Sequence, residues 1–137
     1  MTKLHEQQRS PSARLMGSAF QTWDAEAGEI TFHYTPPPSF ASPRGVVQGG
    51  LIGGFLDEVM GAALLAATDG ESLPLNLDFN MSFLRAVPLE TITAKGRVVK
   101  SGRRVVFLEG ELLDMADNVL ARATSTAIPT PVPGRGT

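Results

Sequence analysis

The chain is 137 residues long, with a formal net charge of −2, 42% hydrophobic and 19% charged residues, and no cysteine. That length supplies one domain with a core and is too short for two ordinary domains, so residues 1–137 read as a single unit. The near-balanced charge, with no Lys/Arg-rich run, leaves no electrostatic basis for nucleic-acid binding, and the missing cysteines exclude disulfides, Cys-ligated metals and a Cys nucleophile.

The first residues, MTKLHEQQRS, are polar and carry no apolar run of the signal-peptide kind. Residues 1 to about 12 are expected to fray. Strands are expected near Gly17–Trp23 and Glu29–Thr35, joined by a turn in DAEAGE. In the second, Ile30, Phe32 and Tyr34 share one face and Thr31, His33 and Thr35 the other. PPPSFASPRG then forms an irregular loop, because consecutive prolines exclude both a helix and a central strand.

A helix of about 18 residues follows within VVQGGLIGGFLDEVMGAALLAATDG, stopped by Asp69-Gly70. Its surface is mostly apolar (Leu51, Ile52, Phe55, Leu56, Val59, Met60, Ala62, Ala63, Leu65), which predicts burial. The stretch Leu51–Ala67, interrupted by Asp57 and Glu58, reads as too short and too charged to cross a bilayer.

One stripe of the helix differs. Gly53, Gly54, Asp57, Gly61 and Thr68 fall within about 100° of each other, with Leu64 also near that arc. Glycine in a helix interior costs roughly 1 kcal/mol against alanine, so the cluster around Asp57 points to close packing or access. Asp57 is expected to be a buried acid, satisfied by a neighbouring donor or serving a function. Glu58, on another side, is expected at the rim or paired with an arginine. At the helix start, Gln48-Gly49-Gly50 presents unpaired backbone N–H groups with partial positive charge. Such a turn can polarise a carbonyl, or it can simply ease the entry of loop into helix.

Leu75–Phe83 alternates most cleanly, with Leu75, Leu77, Phe79, Met81 and Phe83 on one face and Asn76, Asp78, Asn80 and Ser82 on the other. Strands Glu90–Lys100 and Arg103–Met115 follow, joined by a tight turn at Ser101-Gly102, and then Asn118–Ile128 after Ala116-Asp117. The tail from Pro129, PTPVPGRGT, is expected to leave the sheet and lie loosely. The order β-β-α-β-β-β-β is that of an α+β fold. Its last strands form an antiparallel meander, and a sheet of about six strands must curl around one long central helix.

Gly45-Val46-Val47-Gln48-Gly49-Gly50, then six residues, then Asp57 resembles the signature of the PaaI-like hotdog acyl-CoA thioesterases, roughly G-x-x-H-G-G-x(6)-[DE] before an apolar helix. The resemblance continues through DEVMGAA and LNLDFNMSFLRAV and covers about residues 40–127. It implies a hotdog fold and hydrolysis of acyl-CoA thioesters without a metal or other cofactor. It also implies homodimers or dimers of dimers, whose active sites lie at the subunit interface with the acid from one subunit and the glycine turn from the other. Carried over by position, Asp57 is the nucleophile or base, and Gly49 and Gly50 supply the backbone donor. Asn76 matches a polar position near the attacking water. Arg103 and Arg104 resemble basic residues near the CoA phosphates, or form a solvated turn. Gln48 stands where the family has His; it keeps an amide donor but cannot take a proton. Ser42 stands where some members carry a longer polar side chain.

A Ser-His-Asp hydrolase is disfavoured: G-x-S-x-G is missing, and the histidines are His5 in the terminal segment and His33 on a strand. A metal site lacks ligands of the usual spacing. A hotdog dehydratase would act on the same thioesters but needs a histidine that is not placed for it. From another class, a non-catalytic acyl-CoA binding or sensing domain stays open, as does a structural oligomer that binds no CoA. The acid among small residues favours the enzyme. The missing cysteines and the absence of an apolar leader make the expectation a soluble, cytoplasmic protein with no membrane partner.

Overall fold

A computed structural model describes residues 2–133. Two short helices come first, α1 (Thr2–Gln8) and α2 (Pro11–Leu15). The second starts at Pro11, with Ser10 Oγ accepting from the Ala13 N–H at 3.3 Å. The expected fraying of residues 1–12 is therefore corrected for residues 2–12. Leu4 is buried in the core, and the Gln8 carboxamide both accepts from Phe20 N–H (3.0 Å) and donates to Ser18 Oγ (3.0 Å). One buried apolar residue and one amide suffice to anchor a segment whose composition is polar.

Strands β1 (Ala19–Asp24) and β2 (Glu29–Tyr34) form a hairpin, closed by Asp24 Oδ1 accepting from Ala27 N–H and by Gly28 at φ 65. Ile30, Phe32 and Tyr34 are fully buried, as their alternation requires. A loop containing a single 3-10 turn (Pro38–Phe40) leads to the long helix α3 (Gly49–Ala67). Beyond it, Asp69 and Gly70 take positive φ, and Gly70 N–H returns to Leu65 O at 2.8 Å. Strands β3 (Ser72–Asn76), β4 (Asn80–Phe83), β5 (Ile92–Ser101), β6 (Val106–Leu113) and β7 (Val119–Pro131) complete the chain.

All pairings are antiparallel, in the order β1-β2-β5-β6-β7-β3, with β4 also on β7. The sheet curls around α3, which gives the hotdog-like arrangement. The expected meander holds for β5-β6-β7 but not for β3 and β4, which join at the far side against β7. The turn between β5 and β6 is longer than a two-residue hairpin, with Gly102 N–H donating to Val105 O. The tail is also corrected: β7 runs through Pro129 to Pro131. Pro129 lies opposite Pro74, and the first residue of β6, Val106, lies opposite Ala127, so the stretch of β7 beyond Ala127 needs no donors toward β6. Residues 134–137 of the expected loose tail lie outside the described residues.

The helix sits in a slot of small residues. Gly96, Gly110 and Ala123 lie side by side across β5, β6 and β7, with Ile30 of β2 next in the row. A Cβ on Gly96 would stand 2.2 Å from the Val59 carbonyl oxygen, and one on Gly110 would stand 3.0 Å from Met60 Cγ. This contact sets the depth of α3 and the height of Asp57, two residues before Val59. By length and composition α3 is long and apolar enough to cross a membrane, contrary to the expectation. In this fold the sheet covers Ile52, Phe55, Leu56, Val59, Met60 and Ala63 instead. The opposite face of the sheet carries charged rows, with Arg97 paired to Glu109 and Lys95 beside Glu111.

Leu75–Phe83 is not one strand. Between the pairs Asn76–Ala127 and Asn80–Thr124 it advances four residues while β7 advances three. The extra residue is a bulge. Leu77 and Asp78 N–H both donate to Thr126 O, and Asp78 Oδ1 accepts from Thr126 N–H. A one-residue shift exchanges the two faces. Asn76 therefore faces the helix in β3, and Met81 faces it in β4. Leu75, Leu77 and Phe83, expected to share one face, are all exposed in the protomer.

Candidate active site

Asp57 is exposed in the protomer, which corrects the expectation of a buried acid. Its neighbours on the stripe pack within the chain: Gly53 under Met81, Gly54 under Met16 and Gly61 under Pro74. These small contacts leave the carboxylate open toward one partner. Asn76 Nδ2 donates to Asp57 Oδ1 at 2.7 Å. Asn76 Oδ1 in turn accepts from Ser125 Oγ at 3.0 Å, and the same hydroxyl reaches Asp78 O at 2.9 Å. Ser125 escaped the sequence reading, although it was legible as the one polar residue in the inward phase of Ala121, Ala123, Ser125 and Ala127.

Glu58 is half-buried on the lining of the same cavity as Asp57, so of the two places expected for it only the arginine pair is overturned. Among the described residues it pairs with no arginine; Tyr34 Oη donates to Glu58 Oε1 at 2.7 Å and lies 3.3 Å from Phe55 O. Burial raises the Glu58 carboxyl above its ordinary value, against the opposing effect of the Tyr34 hydrogen bond. Burial, and then the charge of Glu58, hold the Tyr34 phenol well above its usual range, so it remains a donor.

Asp57, Glu58, Asn76, Gly50 and Gly54 line one cavity of about 480 Å³, closed on its other side by Ser12, Leu15 and Met16 of the N-terminal segment. Its lining joins a carboxylate and an amide with apolar surface, which suits an apolar group attached to a polar reacting centre. Gln48 is the N-cap of α3: its Oε1 accepts from Leu51 N–H at 3.1 Å, which leaves its Nε2 as donor. Gly49 and Gly50 N–H have no backbone acceptor among the described residues, and a Cβ on Gly49 would meet open space.

Gly49 and Ser42 line a second opening of about 390 Å³ on the other flank of the helix start. Ser42 Oγ there accepts from Arg44 N–H at 3.3 Å. Two residues that the sequence reading passed over, Arg44 and Arg85, line the same opening, and no carboxylate does. Arg103 and Arg104 are exposed on the β5–β6 turn and line neither opening. The structure thus joins Asp57 to Asn76, puts Gly50 further along the lining of the same cavity, places Gly49 with Ser42, and leaves Arg103 and Arg104 apart.

Residues 44–121, from the helix entry into β7, match the Thioesterase superfamily. The chain belongs to that superfamily. Among solved structures, this thioesterase-superfamily chain is similar to a phenylacetic acid degradation-related protein from Ralstonia eutropha JMP134, at 30% identity and TM-score 0.82 over 91% of this chain and 95% of that one. It shares its fold with a Streptococcus pneumoniae TIGR4 protein solved with coenzyme A, at 19% identity and TM-score 0.79 over 96% and 97% of the two chains. It also shares it with a Streptococcus mutans UA159 protein bound to acetyl CoA, at 18% identity and TM-score 0.72 over 83% and 89%. No curated protein matches the chain. The hotdog fold of this superfamily member and its PaaI-like character therefore stand.

Proposed function

We propose that this superfamily member hydrolyses acyl-CoA thioesters to the free acid and CoA. The observation that carries the reading is the Asp57–Asn76 pair, a carboxylate held by an amide at 2.7 Å on the wall of a cavity with an apolar side. Asp57 either takes a proton from water that attacks the thioester carbonyl, or attacks it directly to form an acyl anhydride that water then hydrolyses to the free acid and the carboxylate; in both, the C–S bond breaks and CoA leaves as the thiol, protonated from solvent. A backbone N–H at Gly49 or Gly50, on the positive end of α3, polarises the carbonyl, and Gln48 Nε2 is available beside it.

Within one protomer, Gly49 and Asp57 are separated by about 12 Å of helix rise. That is too far for one carbonyl to meet both, and it supports an active site assembled from two copies, the acid of one against the glycine turn of the other. Exposed Asp57, Gly49, Leu75, Leu77 and Phe83 are compatible with such a dimer, or a dimer of dimers. The opening lined by Arg44 and Arg85 suits the phosphorylated arm of CoA better than the Arg103-Arg104 turn does. The cysteine-free chain suits a reducing cytoplasm.

The test is release of CoA thiol from a panel of benzoyl-, phenylacetyl- and straight-chain acyl-CoAs. Wild type turns over, and Asp57→Asn loses about 10²-fold to 10⁴-fold in kcat while its melting temperature stays close to wild type. Binding of acyl-CoA without turnover in both proteins would establish a sensor domain instead.

A further inference from the structure

Ser125 is the buried polar residue of the described core. It occupies β7 between Ala123 and Ala127 and opposite Leu108 of β6, a setting in which an unpartnered hydroxyl would be costly. Its two partners, Asn76 Oδ1 at 3.0 Å and Asp78 O at 2.9 Å, are both pure acceptors. The single hydroxyl proton is therefore shared between these two acceptors, which flank the bulge that turns Asn76 toward the helix.

A carboxamide has two orientations of nearly the same shape. The reversed one would bring Asn76 Oδ1 against Asp57 Oδ1 and its nitrogen against Ser125. The acceptor-only Asp57 carboxylate opposes that reversal at one end and the Ser125 hydroxyl holds the oxygen at the other, so the nitrogen end is directed at Asp57 and its second N–H is left for a water or substrate oxygen at the cavity wall. We infer that Ser125 is a positioning residue for the reaction: it orients the Asn76 amide, and through it Asp57, without touching the substrate. This rests on the hydrolase reading of the same site.

The experiment compares kcat and KM for wild type, Ser125→Ala, Ser125→Thr, Asn76→Ala and the Asn76→Ala/Ser125→Ala double variant, and follows the Asn76 side-chain amide by NMR. In Ser125→Ala, kcat falls about tenfold or more with KM within about twofold of wild type. Ser125→Thr, which keeps the hydroxyl, recovers most of that loss. In the Asn76→Ala background the Ser125 change costs nothing further, because the group it orients is gone. The Asn76 amide protons of Ser125→Ala shift and exchange faster with water.

Wild-type kcat in Ser125→Ala, or an undiminished second loss in the double variant, overturns the inference. If wild type releases no thiol, the hydrolase reading fails by itself. The amide signals still decide the positioning, and an Asn76 amide unchanged in Ser125→Ala then refutes it. If the alanine variant does not fold, Ser125→Cys, of similar shape and weaker donor strength, takes its place in every comparison.

Discussion

The amide nitrogen of Asn76 stands 2.7 Å from the Asp57 carboxylate, joining an edge strand to the central helix across a separation of 19 residues. The contact exists because the bulge at Leu77–Phe79 exchanges the faces of the strand. A continuous alternation from Leu75 to Phe83 would have held Asn76 and Met81 on opposite faces. The bulge instead lets Asn76 and Met81 both meet α3, one beside Asp57 and the other over Gly53.

Replacing that amide by an acid tests the pairing. Asn76→Asp sets two carboxylates within hydrogen-bond distance, where they retain one proton between them more readily than either would alone. The expected result is a large loss of activity at neutral pH and a pH–rate profile whose acidic limb moves to higher pH. A profile superimposable on wild type would show that the Asp57–Asn76 contact has no part in turnover.

Glu58 predicts how stability varies with pH. Burial makes its folded-state pKa higher than its unfolded one, so in the interval between the two the folded protein binds more protons than the unfolded chain. This group's contribution therefore makes the protein more stable as pH falls from neutral through that interval, and less stable as pH rises again. Glu58→Gln keeps an acceptor for Tyr34 Oη and removes the charge. Denaturant midpoints for wild type and variant should differ most at neutral pH, with the variant the more stable, and should converge toward the acid side of the interval.

Gly96 sets the depth of the helix. Alanine there places a methyl group 2.2 Å from the Val59 carbonyl oxygen, so backbone has to move. Strain of this kind belongs with the large destabilisations of about 4 kcal/mol or more, and the variant should melt far lower or accumulate insoluble. Thermal denaturation of the soluble fraction measures it, and a melting temperature within a degree or two of wild type would mean that α3 has no fixed seat on the sheet.

Arg44 and Arg85 are expected to act on the anionic arm of the substrate. The Arg44→Ala/Arg85→Ala variant should raise KM for acyl-CoA about tenfold or more at low salt and flatten its salt dependence. The same variant should hydrolyse a short N-acetylcysteamine thioester, which lacks phosphates, at the wild-type rate. Arg103→Ala/Arg104→Ala serves as the comparison: a KM effect confined to that pair would return the phosphate contact to the β5–β6 turn.

The local patterns reached a long way. The alternation of Ile30, Phe32 and Tyr34, the apolar run of α3, its Asp69-Gly70 stop and the glycine-turn-to-acid spacing of Gly49-Gly50 and Asp57 are all written in neighbouring residues. Together they were enough for the curled sheet around one helix and for Asp57 as the residue to examine. What failed depended on distant partners. The polar N-terminus hid Leu4, whose burial needs the rest of the core. Pro129 and Pro131 remain in β7 because β6 has already ended beside them.

Sequence alone determined α3 and the strands β1, β2, β5, β6 and β7 in their order, because period and caps are properties of a few consecutive residues; the cleanest alternation, Leu75–Phe83, is broken by a bulge that its own residues do not announce. Tertiary structure decided which groups meet. It set Glu58 on Tyr34 rather than on an arginine, Asn76 on Asp57 by way of a bulge, Ser125 behind Asn76, and Arg44 beside Arg85. Each of these juxtapositions joins segments far apart in the chain, and its geometry depends on the seat of the helix against Gly96 and Gly110 or on the register and bulge of β3 and β4 against β7.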